Sequence, residues 1–145
     1  MRRMIQTLLA VAYCSCSGAV LCADNPAQNN AVSVEEIDSA QYQDYIAKHD
    51  RVVVDVYAPW CPPCHRLAPI IEEVAQIYGR SECGEKIVSF VKVNLDNNRQ
   101  LGSTLGVRSI PTLIFYYKGQ EVTRVTGLLS PAALKSKIEQ FFLVP

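Results

Sequence analysis

A valine-rich run that leads directly into a pair of closely spaced cysteines constrains this chain more than any other feature. Residues 52–57 read Val-Val-Val-Asp-Val-Tyr, and residues 60–65 read Trp-Cys-Pro-Pro-Cys-His. Such a valine run is typical of a strand buried on both faces of a sheet. A Cys-x-x-Cys at a strand-to-helix junction indicates a dithiol redox site. The positive end of the helix dipole favours the thiolate of the first cysteine, Cys61.

Length and composition indicate one globular domain. The chain has 145 residues, and 49% of them are hydrophobic, which is enough for a core without disulfide staples. The 14 basic side chains balance the 14 acidic ones, and no basic stripe interleaved with aromatic residues occurs. We therefore expect no nucleic-acid partner. We also expect a monomer.

The first 23 residues have the pattern of a secretory signal peptide. Arg2 and Arg3 form a basic start, an uncharged stretch covers residues 4–23, and small residues surround a predicted cleavage point after Ala23. A polar linker is expected over residues 24–31 and the folded domain over residues 32–145. The pattern predicts export, most simply to a bacterial periplasm. The alternative is an uncleaved membrane anchor formed by residues 4–23, with the domain facing the periplasm.

Cleavage at this point would leave three of the six cysteines in the mature chain, namely Cys61, Cys64 and Cys83. Cys83 falls in a polar loop predicted over residues 79–86. We interpret Cys83 as a spare thiol. The alternative is a regulatory or intermolecular disulfide, because an odd thiol remains in an exported protein.

Periodicity and breaker residues predict the element order β-α-β-α-β-α-β-β-α. The predicted strands cover residues 32–37, 51–57, 87–95, 112–117 and 121–126, the first as a short edge strand. The predicted helices cover residues 39–48, 62–78, 97–105 and 131–142. Ser39 and Ser130 are the expected caps of the first and last helices. The second helix is predicted to bury an apolar face that extends to Ile77.

In this order, the motifs resemble the thioredoxin family over about residues 32–143. The matching segments are residues 54–64, Leu67-Ala68-Pro69, Val91-Lys92-Val93-Asn94, Ser109-Ile110-Pro111-Thr112, and Tyr117-Lys118-Gly119 leading to Gly127. Trp-Cys-x-x-Cys with a distant Ile-Pro-Thr is more specific than Cys-x-x-Cys alone. The resemblance implies a single α/β domain with a central mixed β-sheet flanked by helices. It also implies a thiol:disulfide oxidoreductase that acts on proteins and needs no metal or organic cofactor.

The resemblance assigns roles to residues around the dithiol. Cys61 is expected to attack a substrate disulfide and Cys64 to resolve the mixed disulfide, which leaves a redox-active Cys61–Cys64 disulfide. Asp55 lies in an otherwise apolar strand, so burial is expected to favour its protonated form. By resemblance, Asp55 relays a proton to or from Cys64, and Lys92 faces Asp55.

Four further residues are expected to bind the substrate. By resemblance, Trp60, Ile110 and Gly127 form an apolar surface, and Ile110–Pro111 is a cis peptide beside the dithiol. Backbone groups near Pro111 would pair with an extended substrate. Two positions depart from the family pattern: Pro62 replaces a glycine, and Tyr57 stands where a second tryptophan is usual.

The direction of the redox reaction is open at this point. Ile110, Asp55 and Lys92 are thioredoxin-like and favour a periplasmic reductase, which would need electrons from a membrane partner. Pro62 and the oxidising compartment favour a disulfide oxidase or isomerase instead. In each case the partners are proteins that carry disulfides or thiols.

Two non-enzymatic interpretations also remain. Residues 61–65 form a literal Cys-x-x-Cys-His, which is the attachment pattern of c-type haem. After cleavage no methionine remains, so His49 is the obvious second strong axial ligand beside His65. A thioredoxin-fold binding module without activity is the other interpretation. A zinc site is less expected, because the chain offers no second Cys pair.

Overall fold

Strands and helices alternate along the described part of the chain. The computed structural model describes residues 32–80 and 87–143. Their strands are β1 (Glu35–Glu36), β2 (Arg51–Tyr57), β3 (Ser89–Asn94), β4 (Thr112–Tyr117) and β5 (Gln120–Thr126). Their helices are α1 (Ser39–Lys48), α2 (Pro62–Tyr78), α3 (Arg99–Thr104) and α4 (Pro131–Ile138), and a π-helical segment over Glu139–Leu143 follows α4. The order of elements is the predicted one.

The predictions on the N-terminal segment and on Cys83 concern other parts of the chain. The signal peptide over residues 1–23, the alternative anchor over residues 4–23, the linker over residues 24–31 and Cys83 all lie outside the described residues. Within residues 32–80 and 87–143, no helix is both long and apolar enough to cross a bilayer. These interpretations therefore stay predictions.

The strands form one mixed sheet in the order β1-β3-β2-β4-β5. β3 pairs in parallel with β1 and with β2, whereas β4 is antiparallel to both β2 and β5. A parallel pair needs a crossover connection, and α2 supplies it between β2 and β3. β2 is therefore the central strand. This confirms the predicted α/β domain with a central mixed sheet flanked by helices.

β2 lies between two apolar cores because its valines alternate between the faces of the sheet. Val53 packs with residues of α2 and α4 on one face, and Val52 and Val54 pack with residues of α1 on the other. The five central residues of β2 are all buried, and the only polar one among them is Asp55. A strand covered on both faces needs no polar alternation, which explains why the valine run predicted it correctly.

α2 has the bounds predicted from the sequence. Pro62 occupies the first turn of α2, where backbone N–H groups have no acceptor within the helix, so the missing N–H of proline costs no hydrogen bond. Gly79 follows the last residue of α2. The buried face runs through Leu67, Ile71 and Ala75 at intervals of four. The prediction that this face extends to Ile77 was wrong, because the four-residue spacing passes by Ile77 and leaves it 50% exposed.

Several element ends differ from the sequence predictions. β1 has two residues because only Glu35 and Glu36 pair with β3. The cap of α1 is Asp38 rather than Ser39, since one Asp38 carboxylate oxygen accepts from the backbone N–H groups of residues 40 and 41, at 2.9 Å each. β3 and α3 are both shorter than predicted, and the last helix changes to π-helical hydrogen bonding after Ile138. The predicted cap Ser130 is confirmed by a 3.2 Å hydrogen bond from the Ala133 N–H to its hydroxyl oxygen.

A tight turn at Lys118 and Gly119 returns the chain from β4 to β5. Their φ angles are 49° and 80°, and two consecutive positive values are typical of a type I′ hairpin turn. β5 then runs back along β4 and ends at Thr126, which pairs with Thr112. This brings Gly127 next to Pro111, whose carbonyl oxygen accepts a 2.8 Å hydrogen bond from the Gly127 N–H.

Candidate active site

The two predicted redox cysteines lie at the junction between β2 and α2. Cys61 is the N-cap residue of α2, and Cys64 lies in its first turn. Their sulfur atoms are bonded to each other, and their Cα atoms are 5.3 Å apart. The two residues are 2% and 4% exposed, so exposure does not distinguish the attacking cysteine from the resolving one. The two cysteines differ instead in their positions on α2, one as the N-cap residue and the other inside the first turn.

The first turn of α2 supplies a backbone donor to Cys61. The Cys64 N–H donates to the Cys61 Sγ at 3.3 Å and to the Cys61 carbonyl oxygen at 3.1 Å. Pro62 and Pro63 have no N–H, so Cys64 is the first residue inside the helix that can donate. Together with the dipole of the helix, this contact favours negative charge on the Cys61 sulfur once the disulfide opens.

Two large apolar side chains that adjoin predicted site residues in the sequence are exposed to solvent. Trp60 directly precedes Cys61 and is 68% exposed, and its indole N–H donates to an Asp96 carboxylate oxygen at 3.1 Å. Leu128, which follows Gly127, is 48% exposed. Leu128 was not among the predicted site residues, although its place beside the predicted substrate residue Gly127 was a usable signal. Exposed apolar side chains of this size suit the binding of another protein.

The remaining predicted substrate residues lie close to the disulfide or to one another. Ile110 packs against the cluster formed by Cys61, Cys64 and Ala58. The Ile110–Pro111 peptide is cis, which confirms that prediction. Gly127 has a φ of 99°, a conformation that favours glycine, and it is tied to Pro111 by the hydrogen bond described above. Their roles in substrate binding stay predictions.

Asp55 is buried in the middle of β2 and lacks a full set of hydrogen bonds. It is 5% exposed, and among the described residues its Oδ1 has no hydrogen-bond partner. Burial raises the pKa of this carboxyl from 3.8 to about 7, although the Lys92 ammonium acts in the opposite direction. The expectation that burial favours protonation is therefore supported.

A small cavity connects Asp55 to the helix that carries Cys64. It has a volume of about 30 Å³ and is lined by Asp55 and Lys92 from the sheet and by Ala68, Ile71 and Glu72 from α2, among others. Ala68 lies one helical turn beyond Cys64 on the same face. A space of this size holds about one water molecule, which suits a water-mediated proton path between Asp55 and Cys64.

Lys92 faces Asp55, as the resemblance implies, but it has other partners too. Lys92 is directly opposite Asp55 in the pairing of β2 with β3. Its Nζ lies 4.0 Å from a Glu36 carboxylate oxygen and 5.7 Å from the centre of the Tyr57 ring. The Tyr57 hydroxyl donates to the same Glu36 oxygen at 2.9 Å. Glu36 was not among the predicted site residues, because only the strand register brings it beside Lys92.

The haem interpretation does not fit the arrangement of the same motif. The two sulfur atoms are bonded to each other, and the His65 Nε2–H donates to the Pro59 carbonyl oxygen at 2.6 Å. His49 precedes β2, whereas His65 follows it, so about 20 Å of strand separates the two candidate axial ligands. No cluster of three or more His, Cys, Asp or Glu side chains within residues 32–80 and 87–143 is arranged to hold a metal ion.

Known proteins share this fold and sequence pattern. Residues 33–140 match the Thioredoxin family model. The chain is 37% identical over 110 residues to thioredoxin 1 from Nostoc sp., covering 76% of this chain and 97% of that protein. It is 38% identical over 104 residues to a thioredoxin from Synechocystis sp., covering 72% of this chain and 92% of that protein. A mutant thioredoxin from Halobacterium salinarum has a solved structure with a TM-score of 0.68 and 31% identity, covering 82% of this chain and 100% of that one.

The raised pKa of Asp55 predicts how stability depends on pH. The folded protein holds this proton more tightly than the unfolded chain does, so the carboxyl destabilises the fold progressively as pH rises from about 4 to about 7, and fully above that range. Asp55→Asn should remove this effect and raise the free energy of unfolding at pH 8 by on the order of 2–4 kcal/mol, with little gain at pH 4. Urea unfolding of the oxidised protein at both pH values measures the difference.

The matched control is Asp44→Asn, which makes the same chemical change at an exposed position of α1. It should change the free energy of unfolding little at either pH. An equal gain from Asp55→Asn at pH 4 and pH 8 would contradict the burial argument.

Proposed function

We propose that this chain, which belongs to the thioredoxin family and is a thiol-disulfide oxidoreductase, reduces the disulfides of proteins in a bacterial periplasm. Thioredoxins generally act on protein disulfides, and the exposed Trp60 and Leu128 offer such a substrate an apolar surface. The reducing direction rests on the likeness to thioredoxins. The observation that supports the proton transfer is Asp55, a buried carboxyl beside the cavity that borders α2, whose pKa is raised to about 7. At neutral pH such a group can accept a proton, which the resolving step of a reductase requires.

The reaction proceeds in two thiol-disulfide exchanges. The Cys61 thiolate attacks one sulfur of the substrate disulfide, forms a mixed disulfide and releases the other substrate sulfur as a thiolate. Cys64 then loses its proton and attacks the Cys61 sulfur, which releases the second substrate thiolate and closes the Cys61–Cys64 disulfide. The substrate gains two electrons, and the dithiol loses them.

Asp55 serves the second exchange. The Cys64 thiol is buried and has to be deprotonated before it can attack, and the cavity beside Ala68 leads from its helix face to the Asp55 carboxylate. A carboxyl with its ordinary pKa would be a weaker base at pH 7, so the burial that destabilises the fold suits this proton transfer.

The proposed location follows from the pattern of residues 1–23. A basic start, an uncharged stretch and small residues near position 23 support export. Each substrate oxidises the dithiol of an exported reductase to a disulfide. The reductase therefore needs electrons from a partner in the membrane, which reduce this disulfide again. A monomer suffices for this chemistry, because one chain carries both cysteines and Asp55.

The first prediction of this proposal separates the roles of the two cysteines. Cys61→Ser should abolish the reduction of a protein disulfide substrate such as insulin. Cys64→Ser should also stop turnover but should accumulate a mixed disulfide with the substrate, visible on a non-reducing gel and released by dithiothreitol. Cys83→Ser is the control and should keep full activity. Trapping by Cys61→Ser instead would show that the roles are reversed.

The second prediction concerns direction. Equilibrating the purified protein with a dithiol redox buffer should give a reduction potential near roughly −270 mV, the value for thioredoxin. A strongly reducing dithiol donates electrons to most protein disulfides. A potential near roughly −120 mV would identify a disulfide donor and contradict the reductase proposal.

The third prediction concerns export. Residues 1–31 fused to alkaline phosphatase, which is active only after export, should give active enzyme in a bacterial host, and the purified fusion should begin at residue 24. An active fusion that stays uncleaved and membrane-bound would support the anchor formed by residues 4–23 instead. An inactive fusion would contradict export.

A further inference from the structure

Lys92 lies on a strand whose two neighbouring strands each carry a carboxylate opposite it. It is on β3, directly opposite Asp55 of β2 on one side and directly opposite Glu36 of β1 on the other. Neighbouring strands are about 4.8 Å apart, so the lysine side chain is long enough to reach either carboxylate. We call these three residues the carboxylate–lysine row. In this row, the Lys92 ammonium can pair with either of two carboxylates.

The ammonium of Lys92 is directed to Glu36. Its Nζ lies 4.0 Å from Glu36 Oε2, whereas Asp55 Oδ1 has no hydrogen-bond partner among the described residues. The side chains of Lys92 and Glu36 are 39% and 44% exposed. An ion pair with the buried Asp55 would withdraw the ammonium from water, so the exposed Glu36 offers a partner with a smaller desolvation penalty.

Tyr57 supports this arrangement. Its hydroxyl donates to Glu36 Oε2 at 2.9 Å, and the Lys92 ammonium lies over its ring. Burial and the hydrogen bond to Glu36 raise the pKa of Tyr57 to about 12, so the phenol remains a donor at neutral pH. Tyr57 therefore helps to hold the Glu36 carboxylate beside the Lys92 ammonium.

We propose that Glu36 is a positioning residue for the dithiol reaction, which holds the Lys92 ammonium away from Asp55 and so leaves the Asp55 carboxyl free to exchange a proton with Cys64. The proposal rests on the role of Asp55 given under the proposed function. Glu36 touches neither sulfur. It acts through Lys92, and it thereby sets the pH range in which Asp55 changes its protonation state.

Among the described residues, the other groups that face Asp55 do not pair with the Lys92 ammonium as Glu36 does. Within residues 32–80 and 87–143, the charged or titratable neighbours of Asp55 include Lys92 on β3, Glu72 on α2 and Tyr57 on β2 itself. Leu113, its partner on β4, is apolar. Glu72 is exposed on α2, and among the described residues the ion pair of Lys92 is with Glu36. Without Glu36, Asp55 is the remaining carboxylate directly opposite Lys92 in the sheet.

The test is a titration of the Asp55 side-chain carboxyl by ¹³C NMR in the oxidised full chain. Glu36→Gln removes one charge from an exposed side chain and keeps its shape. The midpoint of Asp55 should move to lower pH by about one unit or more, because a cation within a few ångströms favours the carboxylate. Glu36→Ser should give the same direction if the glutamine variant is poorly folded.

A control variant and a second background isolate the role of Lys92. Glu35→Gln removes the same charge from the neighbouring residue, whose side chain points to the opposite face of the sheet, and should move the midpoint much less. Lys92→Met alone should raise the midpoint, because the ammonium is lost. Glu36→Gln added to Lys92→Met should then shift the midpoint no more than Glu35→Gln does.

Two results would overturn the inference. One is no shift in Glu36→Gln. The other is a shift of the same size with and without Lys92, which would mean that the Glu36 charge acts on Asp55 directly. The titration uses the disulfide form without substrate, so its outcome does not depend on whether the protein is a reductase. Conversely, a strongly oxidising potential would refute the proposed direction and leave the titration result intact.

Discussion

The parallel pairing of β2 with β3 is the constraint on which the site depends. It places Asp55 opposite Lys92, and it requires the crossover helix α2, which has Cys61 as its N-cap and Cys64 in its first turn. Because β2 is buried on both faces, its position is fixed by the two cores. Only four residues after β2 ends at Tyr57, Cys61 caps α2, so the sulfur has little freedom to lie elsewhere. The core of the sheet thus determines the geometry of the dithiol.

This arrangement includes a destabilising group at the centre of the sheet. Asp55 takes a position where its neighbours Val54 and Val56 are fully buried, and within the described part of the chain no group hydrogen-bonds to its Oδ1. A valine there would suit the core better. The surrounding apolar contacts tolerate the carboxyl, and such local conflict between stability and chemistry is expected at functional sites.

Local signals in the sequence were sufficient for the elements that carry the cysteines. The valine run predicted β2, and periodicity with breaker residues predicted the bounds of α2. The family resemblance supplied the cis peptide before Pro111. Contacts set by strand register were not predictable in this way, because Glu36 and Lys92 are separated by 56 positions and meet only when β1 pairs with β3. The short motif was also ambiguous: Cys-x-x-Cys-His suits haem as well as a dithiol, and only the fold shows that the His65 Nε2–H donates to Pro59.

The two sulfur atoms depend on different parts of the structure. Cys61 depends on the first turn of α2, where Pro62 and Pro63 leave the Cys64 N–H as the first helical donor, shared between a sulfur and a carbonyl oxygen. In the proposed mechanism, Cys64 depends on the sheet, because its proton would pass to Asp55 in the carboxylate–lysine row. A change in the helix turn therefore alters mainly the attack on the substrate. A change in the row alters mainly the resolution of the mixed disulfide, so the two steps can be tuned separately within one small domain.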